Sequence, residues 1–128
     1  MLDSRSMDDL ERLLERCRAD AVGRAAALIG RDGLVIETAG AVDDASLDLA
    51  LAAAEATDLL AVADRLFADG LDERPAREVW IRSDASALMM RRIGDDAFAL
   101  LVLAADADPV AARGALDATE SDLAAVLA

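Results

Sequence analysis

The sequence predicts an α+β domain with the order helix, strand, strand, helix, strand, strand, strand, helix. Three observations carry that expectation. Apolar residues recur at spacings of three and four in three separate segments, the period of a helix face. Five short strand-like runs are separated by turn residues or polar connections. Tight turns within the two strand clusters make neighbours pair as hairpins, so the sheet is mainly antiparallel. One run, 97–104, is apolar at consecutive positions, which suits a central strand covered by helices on both faces.

The chain is organised around its middle helix, residues 46–69. Ser46 is the expected cap, with Asp43 and Asp44 placing negative charge near the positive end of the helix dipole. Leu49, Ala53, Ala56, Leu60, Ala63 and Phe67 share one face. A second set, Leu51, Leu59, Val62 and Leu66, points elsewhere among Glu55, Asp58 and Asp69. A strip of small residues, Ala50, Ala54, Thr57, Ala61 and Ala68, lies between the two. A helix that covers one core shows a single apolar stripe and a polar back. This one carries bulky apolar residues on its back as well, so it is expected to pack on its own sheet and against a partner. The competing reading is an alanine-rich helix with a broad core face. Gly70 is the expected C-terminal cap.

The first helix starts at Ser6, with Asp9 completing a capping-box-like pair. Met7, Leu10, Leu14, Cys17 and Ala21 mark its buried face. Cys17 is therefore read as a small core residue rather than a reactive thiol. Gly23 breaks the chain. Strands at 25–29 and 34–38 flank the turn Gly30-Arg31-Asp32-Gly33, where glycine supplies the positive φ that a hairpin needs. This is no phosphate loop, since Leu34 begins a strand where such a loop opens a helix. Gly40 ends the second strand.

After the middle helix and a polar connection containing Pro75, strand 78–83 sends Val79 and Ile81 one way and Trp80 and Arg82 the other. Strand 87–93 ends near Arg91 and Arg92, and Gly94-Asp95-Asp96 turns the chain into the 97–104 run. Asp108 and Pro109 open the last helix as cap and first-turn proline. Its buried stripe is Ala112, Leu116, Thr119, Leu123 and Val126.

At 128 residues the chain is read as one domain, 1–128, large enough to bury roughly two-thirds of the surface its unfolded form exposes. Its net charge of −13 opposes nucleic acid and anionic membranes, which reward clustered cations. No apolar run approaches the ~20 residues of a membrane-spanning helix, and no signal peptide is evident. The single cysteine forms no internal disulfide, and the expected location is cytoplasmic. With no histidine, catalytic triads, histidine bases and histidine zinc sites are excluded. The pairs Asp43/Asp44 and Asp95/Asp96 are read as surface or capping carboxylates. Arg91 and Arg92 are read as a solvated strand end balancing an acidic surface, and Trp80 either as an interface anchor or as core. No cofactor and no metal is expected.

The stretch Ala25-Ala26-Ala27-Leu28-Ile29-Gly30-Arg31-Asp32-Gly33-Leu34-Val35-Ile36 resembles the opening hairpin of the Roadblock family, named with the dynein light chains and including bacterial MglB-type regulators. Ile93-Gly94-Asp95-Asp96-Ala97 is similar to the turn before that family's central strand. The resemblance spans essentially the whole chain. It implies a profilin-like sandwich in which a five-stranded antiparallel sheet has the middle helix on one face and the terminal helices on the other. It also implies a homodimer, with paired middle helices and sheets joined edge to edge through the third strand. The interface residues expected on that basis are Leu51, Ala54, Asp58, Leu59, Ala61, Val62 and Leu66 on the helix. On the strand they are Val79, Trp80, Ile81 and Arg82. The implied function is that of a non-enzymatic regulator or scaffold of a small Ras-like GTPase. A purely structural adaptor is the alternative. Arg91 or Arg92 as a GTPase-activating finger is a competing use of those two residues.

Overall fold

The computed structural model describes residues 2–40 and 45–128. Helices and strands form in the expected order: α1 Ser4–Asp20, β1 Ala25–Gly30, β2 Val35–Ala39, α2 Leu49–Arg65, β3 Glu78–Arg82, β4 Ser86–Ile93, β5 Ala97–Ala104 and α3 Pro109–Leu127. The strands make a five-stranded sheet in the order β2-β1-β5-β4-β3, every neighbour antiparallel. β5 is central, as its unbroken apolar run requires, and all of it but Ala104 is buried. Its pleat feeds two cores. Ala99, Leu101 and Leu103 meet α1 and α3 on one face. Phe98, Leu100 and Val102 meet α2 on the other. Two helices therefore lie on one side of the sheet and one on the other.

The helix starts differ from the sequence expectation. Asp3, not Ser6, caps α1, its carboxylate accepting the Ser6 amide at 2.8 Å. Asp48, not Ser46, caps α2 through the Leu51 amide at 3.1 Å. Ser46 Oγ instead accepts from Arg24 Nη2 at 3.1 Å. In both cases a carboxylate stood nearby, and a charged acceptor suits the helix dipole better than a hydroxyl. Asp43 and Asp44 lie outside the described residues. Asp108 caps α3 as expected, accepting the Val110 amide at 2.9 Å. The buried stripe of α3 also includes Ala115, while Val126 is only half-buried.

The middle helix is shorter than 46–69. It passes after Arg65 into a π-helical turn, Leu66–Gly70. Gly70 sits inside that turn and does not cap it. The left-handed residue is Asp72, at φ 54°, where Glu73 N donates back to Phe67 O at 2.8 Å. Aspartate tolerates this conformation better than most residues with a Cβ. The expected core face holds: Ala53, Ala56 and Leu60 are buried, with Leu49, Ala63 and Phe67 packed beside them.

The first hairpin turns as expected, with Gly33 at φ 85° and the Asp32 carboxylate accepting the Leu34 amide at 3.1 Å. Pairing then slips by one residue. Leu28 opposes Glu37, but Ile29 opposes Val35. The bulge sends Val35 to the α2 side and Ile36 to the α1/α3 side.

α1 closes with the Gly23 amide on Arg18 O at 2.8 Å and the Val22 amide on Ala19 O at 3.1 Å. The left-handed position is Val22, at φ 54° and 84% exposed, not Gly23. Gly23 serves close packing instead, because a Cβ there would stand 3.3 Å from both Leu103 Cδ2 and Val102 O. A β-branched residue in the left-handed region is strained by about 1–2 kcal/mol, part of which glycine's freedom in the unfolded chain cancels. Val22→Gly is therefore expected to raise stability by ~1 kcal/mol, read as a higher urea midpoint with an unchanged slope. An unchanged or lower midpoint would show that the strain is not there.

Candidate protein interface

One helix cannot cover this sheet. Five strands at ~4.8 Å spacing present a face roughly 20 Å wide between edge strands, while a helix with its side chains is about 10 Å across. On the opposite face α1 and α3 supply the two helices that such a width needs. α2 runs nearest β1 and β2. Toward β4 and β3 the sheet residues on its side, Leu88, Val79 and Ile81, are left part-exposed, Ile81 at 36%.

The outer flank of α2 is apolar as well. Leu51 is 57% exposed, Leu59 38%, Val62 52% and Leu66 59%. Ala54, Asp58 and Ala61 are also exposed. All seven helix residues expected at an interface are thus exposed in the single chain.

β3 is an edge strand that pairs with β4 alone among the described residues, Val79 opposite Met90 and Ile81 opposite Leu88. Its outer row of amides and carbonyls is open to another strand. Val79 leans into the α2-side core and Trp80 into the α1/α3-side core, each part-exposed, while Ile81 and Arg82 are exposed. The expected alternation along this strand therefore holds.

Arg91 and Arg92 are not a solvated strand end. They follow one another on β4, so their side chains leave on opposite faces. Arg91 is only 7% exposed. It donates to Glu78, its cross-strand neighbour, and through Nη1 to Asp117 at 2.8 Å and Glu120 at 3.1 Å on α3. Arg113 shares Glu78 at 2.9 Å. Arg92 donates Nε to Ala76 O at 2.7 Å and pairs with Asp64 near the end of α2. Asp64 in turn accepts the Ala76 amide at 3.0 Å. Periodicity could not reveal these partners, since they come from elements far apart in sequence. The only signal was a pair of arginines inside an otherwise apolar strand.

The charges explain how Arg91 stays buried. Desolvation pushes its pKa down, but the bonds to Glu78, Asp117 and Glu120 outweigh that and raise it. Burial likewise pushes Glu78 up, while Arg91 and Arg113 outweigh burial and hold it below the usual glutamate range. Cys17 is buried, and burial raises its thiol, with a hydrogen bond to Thr119 working the other way. Asp95 and Asp96 are exposed, Asp96 standing 3.7 Å from Arg31. Among the described residues no three His, Cys, Asp or Glu side chains are placed to hold a metal.

Arg91→Met should destabilise the fold by about 2 kcal/mol, because Glu78 then keeps only Arg113, Glu120 only the more distant Arg77, and Asp117 no partner among the described residues. A loss under about 1 kcal/mol would contradict the role assigned to this cluster. Because the Glu78 pKa is depressed on folding, its contribution is complete above the unfolded pKa, near 4.5, and is lost as pH falls through the folded value. Glu78→Gln should therefore flatten the stability–pH curve below pH 4.5, seen in denaturation midpoints, while leaving the slope at neutral pH unchanged.

No protein-family model matches the sequence, and no curated protein matches it. Solved structures do match the fold. Myxococcus xanthus MglB aligns with a TM-score of 0.87 at 16% identity, over 99% of this chain and 92% of that one. The gliding protein MglB from Thermus thermophilus aligns at 0.87 and 20% identity, over 98% and 93%. A Roadblock/LC7 domain from Streptomyces avermitilis aligns at 0.73 and 19%, over 99% and 98%. At such identities the likeness speaks for backbone architecture: this chain has the α+β sandwich fold of the MglB and Roadblock/LC7 structures.

Proposed function

We propose that this protein is a non-enzymatic homodimer that binds a small Ras-like GTPase and modulates its nucleotide cycle. The observation that carries the dimer is the exposed apolar flank of α2, together with the part-exposed Leu88, Val79 and Ile81 on the β3 side of the same sheet face. A second α2 would fill the missing width, with its own Leu51, Leu59, Val62 and Leu66 against those of the first. The β3 edges of two copies would then join, and neither sheet would keep an open edge there. The interface would comprise Leu51, Ala54, Asp58, Leu59, Ala61, Val62 and Leu66 with Val79, Trp80, Ile81 and Arg82. Trp80, part-exposed at that edge, suits an interface anchor.

The GTPase follows from the Roadblock resemblance, in which paired middle helices form the GTPase-facing platform. It is supported by the fold shared with MglB structures. A net charge of −13 directs the protein to partners other than nucleic acid or anionic lipid. Among the described residues no helix is long and apolar enough to cross a membrane.

Sedimentation equilibrium tests the dimer. The chain should sediment at twice its 13.4 kDa mass. Val62→Asp should weaken association by roughly 100-fold, because it buries an unpaired carboxylate in an apolar seam. A wild-type mass that stays monomeric at every concentration would remove the proposal. The GTPase arm is tested by mixing the protein with the Ras-like GTPase encoded nearest to it and following nucleotide release and hydrolysis. Binding with a changed rate of either is expected. A dimer that binds no such candidate would instead be the structural adaptor.

A further inference from the structure

The outer flank of α2 carries charge as well as apolar bulk. Glu55, Asp58 and Arg65 are all exposed there. None of the three has a hydrogen bond or ion pair among the described residues. At ~100° per residue, Glu55, Asp58, Leu59, Val62, Arg65 and Leu66 fall within one sector about 120° wide. The charges therefore belong to the apolar face and do not lie beside it.

Their spacing is that of a face made to meet itself. Leu59 and Val62 form its apolar middle. An antiparallel pairing about a two-fold axis between these residues sets position 65 of one helix opposite position 56 of the other. Glu55 and Asp58 flank position 56 on the outer side. Arg65 thus stands about as far on one side of the apolar middle as the two carboxylates stand on the other. A parallel pairing would set Arg65 on Arg65 and Asp58 on Asp58, which like-charge repulsion disfavours.

We propose that Arg65 fixes an antiparallel α2–α2 register by pairing with Glu55 and Asp58 of a second copy of this chain. The inference rests on the homodimer reading above and adds the residues that hold its register. A second copy is the occupant that the face itself points to, because the face holds both halves of the ion pair at matching distances from its centre. Both halves recur on the other side of the axis, so each dimer contains the pairing twice. Exposed ends of such pairs are screened by salt, so association weakens as ionic strength rises.

The test uses the full-length chain and two variants, R65E and E55R/D58R, each with a single sign of charge at positions 55, 58 and 65. None of the altered residues makes a hydrogen bond or ion pair among the described residues, so the circular dichroism spectrum of each variant should match wild type. Alone, each variant should dimerise at least about 100-fold more weakly than wild type in sedimentation equilibrium. Mixed in equal amounts they should form a dimer again, because an all-acidic flank meets an all-basic one. The neutral variant R65A should weaken dimerisation roughly tenfold and lose most of its salt dependence. Variants that dimerise like wild type, or a mixture that does not associate, would overturn the register while leaving the homodimer standing. A wild-type chain that never dimerises would overturn the homodimer reading and this inference with it.

Discussion

Arg91 and Arg92 are neighbours on β4, and a strand's alternation sends neighbours to opposite faces. That one fact lets two residues fasten both helical layers to the same strand. Arg91 draws in Glu78 from β3 and Asp117 and Glu120 from α3. Arg92 holds Asp64 near the end of α2 and the carbonyl of Ala76, just before β3. The start of the edge strand is therefore gripped from both sides of the sheet. A buried guanidinium is costly, and here the cost is offset because three carboxylates share its donors. The cluster sets where β3 begins, and with it the edge on which the proposed dimer depends.

The second constraint is geometric. The α1/α3 face closes over the sheet because two helices match its width. The α2 face does so less completely: alanines at Ala25, Ala27, Ala53 and Ala56 let α2 settle close to the strands beneath it, and Leu88, Val79 and Ile81 stay part-exposed on the β3 side. A partner helix is the element that would complete the layer. This view accounts for α2 carrying Leu51, Leu59, Val62 and Leu66 on its back, where α1 is polar.

Much of the architecture was legible from residue order. The unbroken run at Ala97 to Ala104 placed a strand at the centre, and the Asp-Gly turn placed the first hairpin. The alternation Val79, Trp80, Ile81, Arg82 assigned faces that the structure repeats. Caps were less legible. Ser46 and Ser6 fit the preferred residue types, yet Asp48 and Asp3 took the positions, since the competition between adjacent capping residues depends on where packing lets the chain enter the helix. Gly70 and Gly23 looked like helix stops, but Asp72 and Val22 took the left-handed conformations. Glycine marks where a positive φ is inexpensive and does not compel one. Gly23 serves a different purpose, the close approach of Leu103.

The sequence alone determined the element order, the antiparallel hairpins, the doubly covered central strand and the surplus of apolar surface on the middle helix. These follow from periodicity and turn chemistry, which act over a few residues. Only the tertiary structure decided that Arg91 is buried, that the β3 side of the α2 face stays part-exposed, and that β3 lies at an edge with its start clamped to two helices. Each of those depends on groups tens of residues apart meeting in space, and their attraction has no local pattern to betray it.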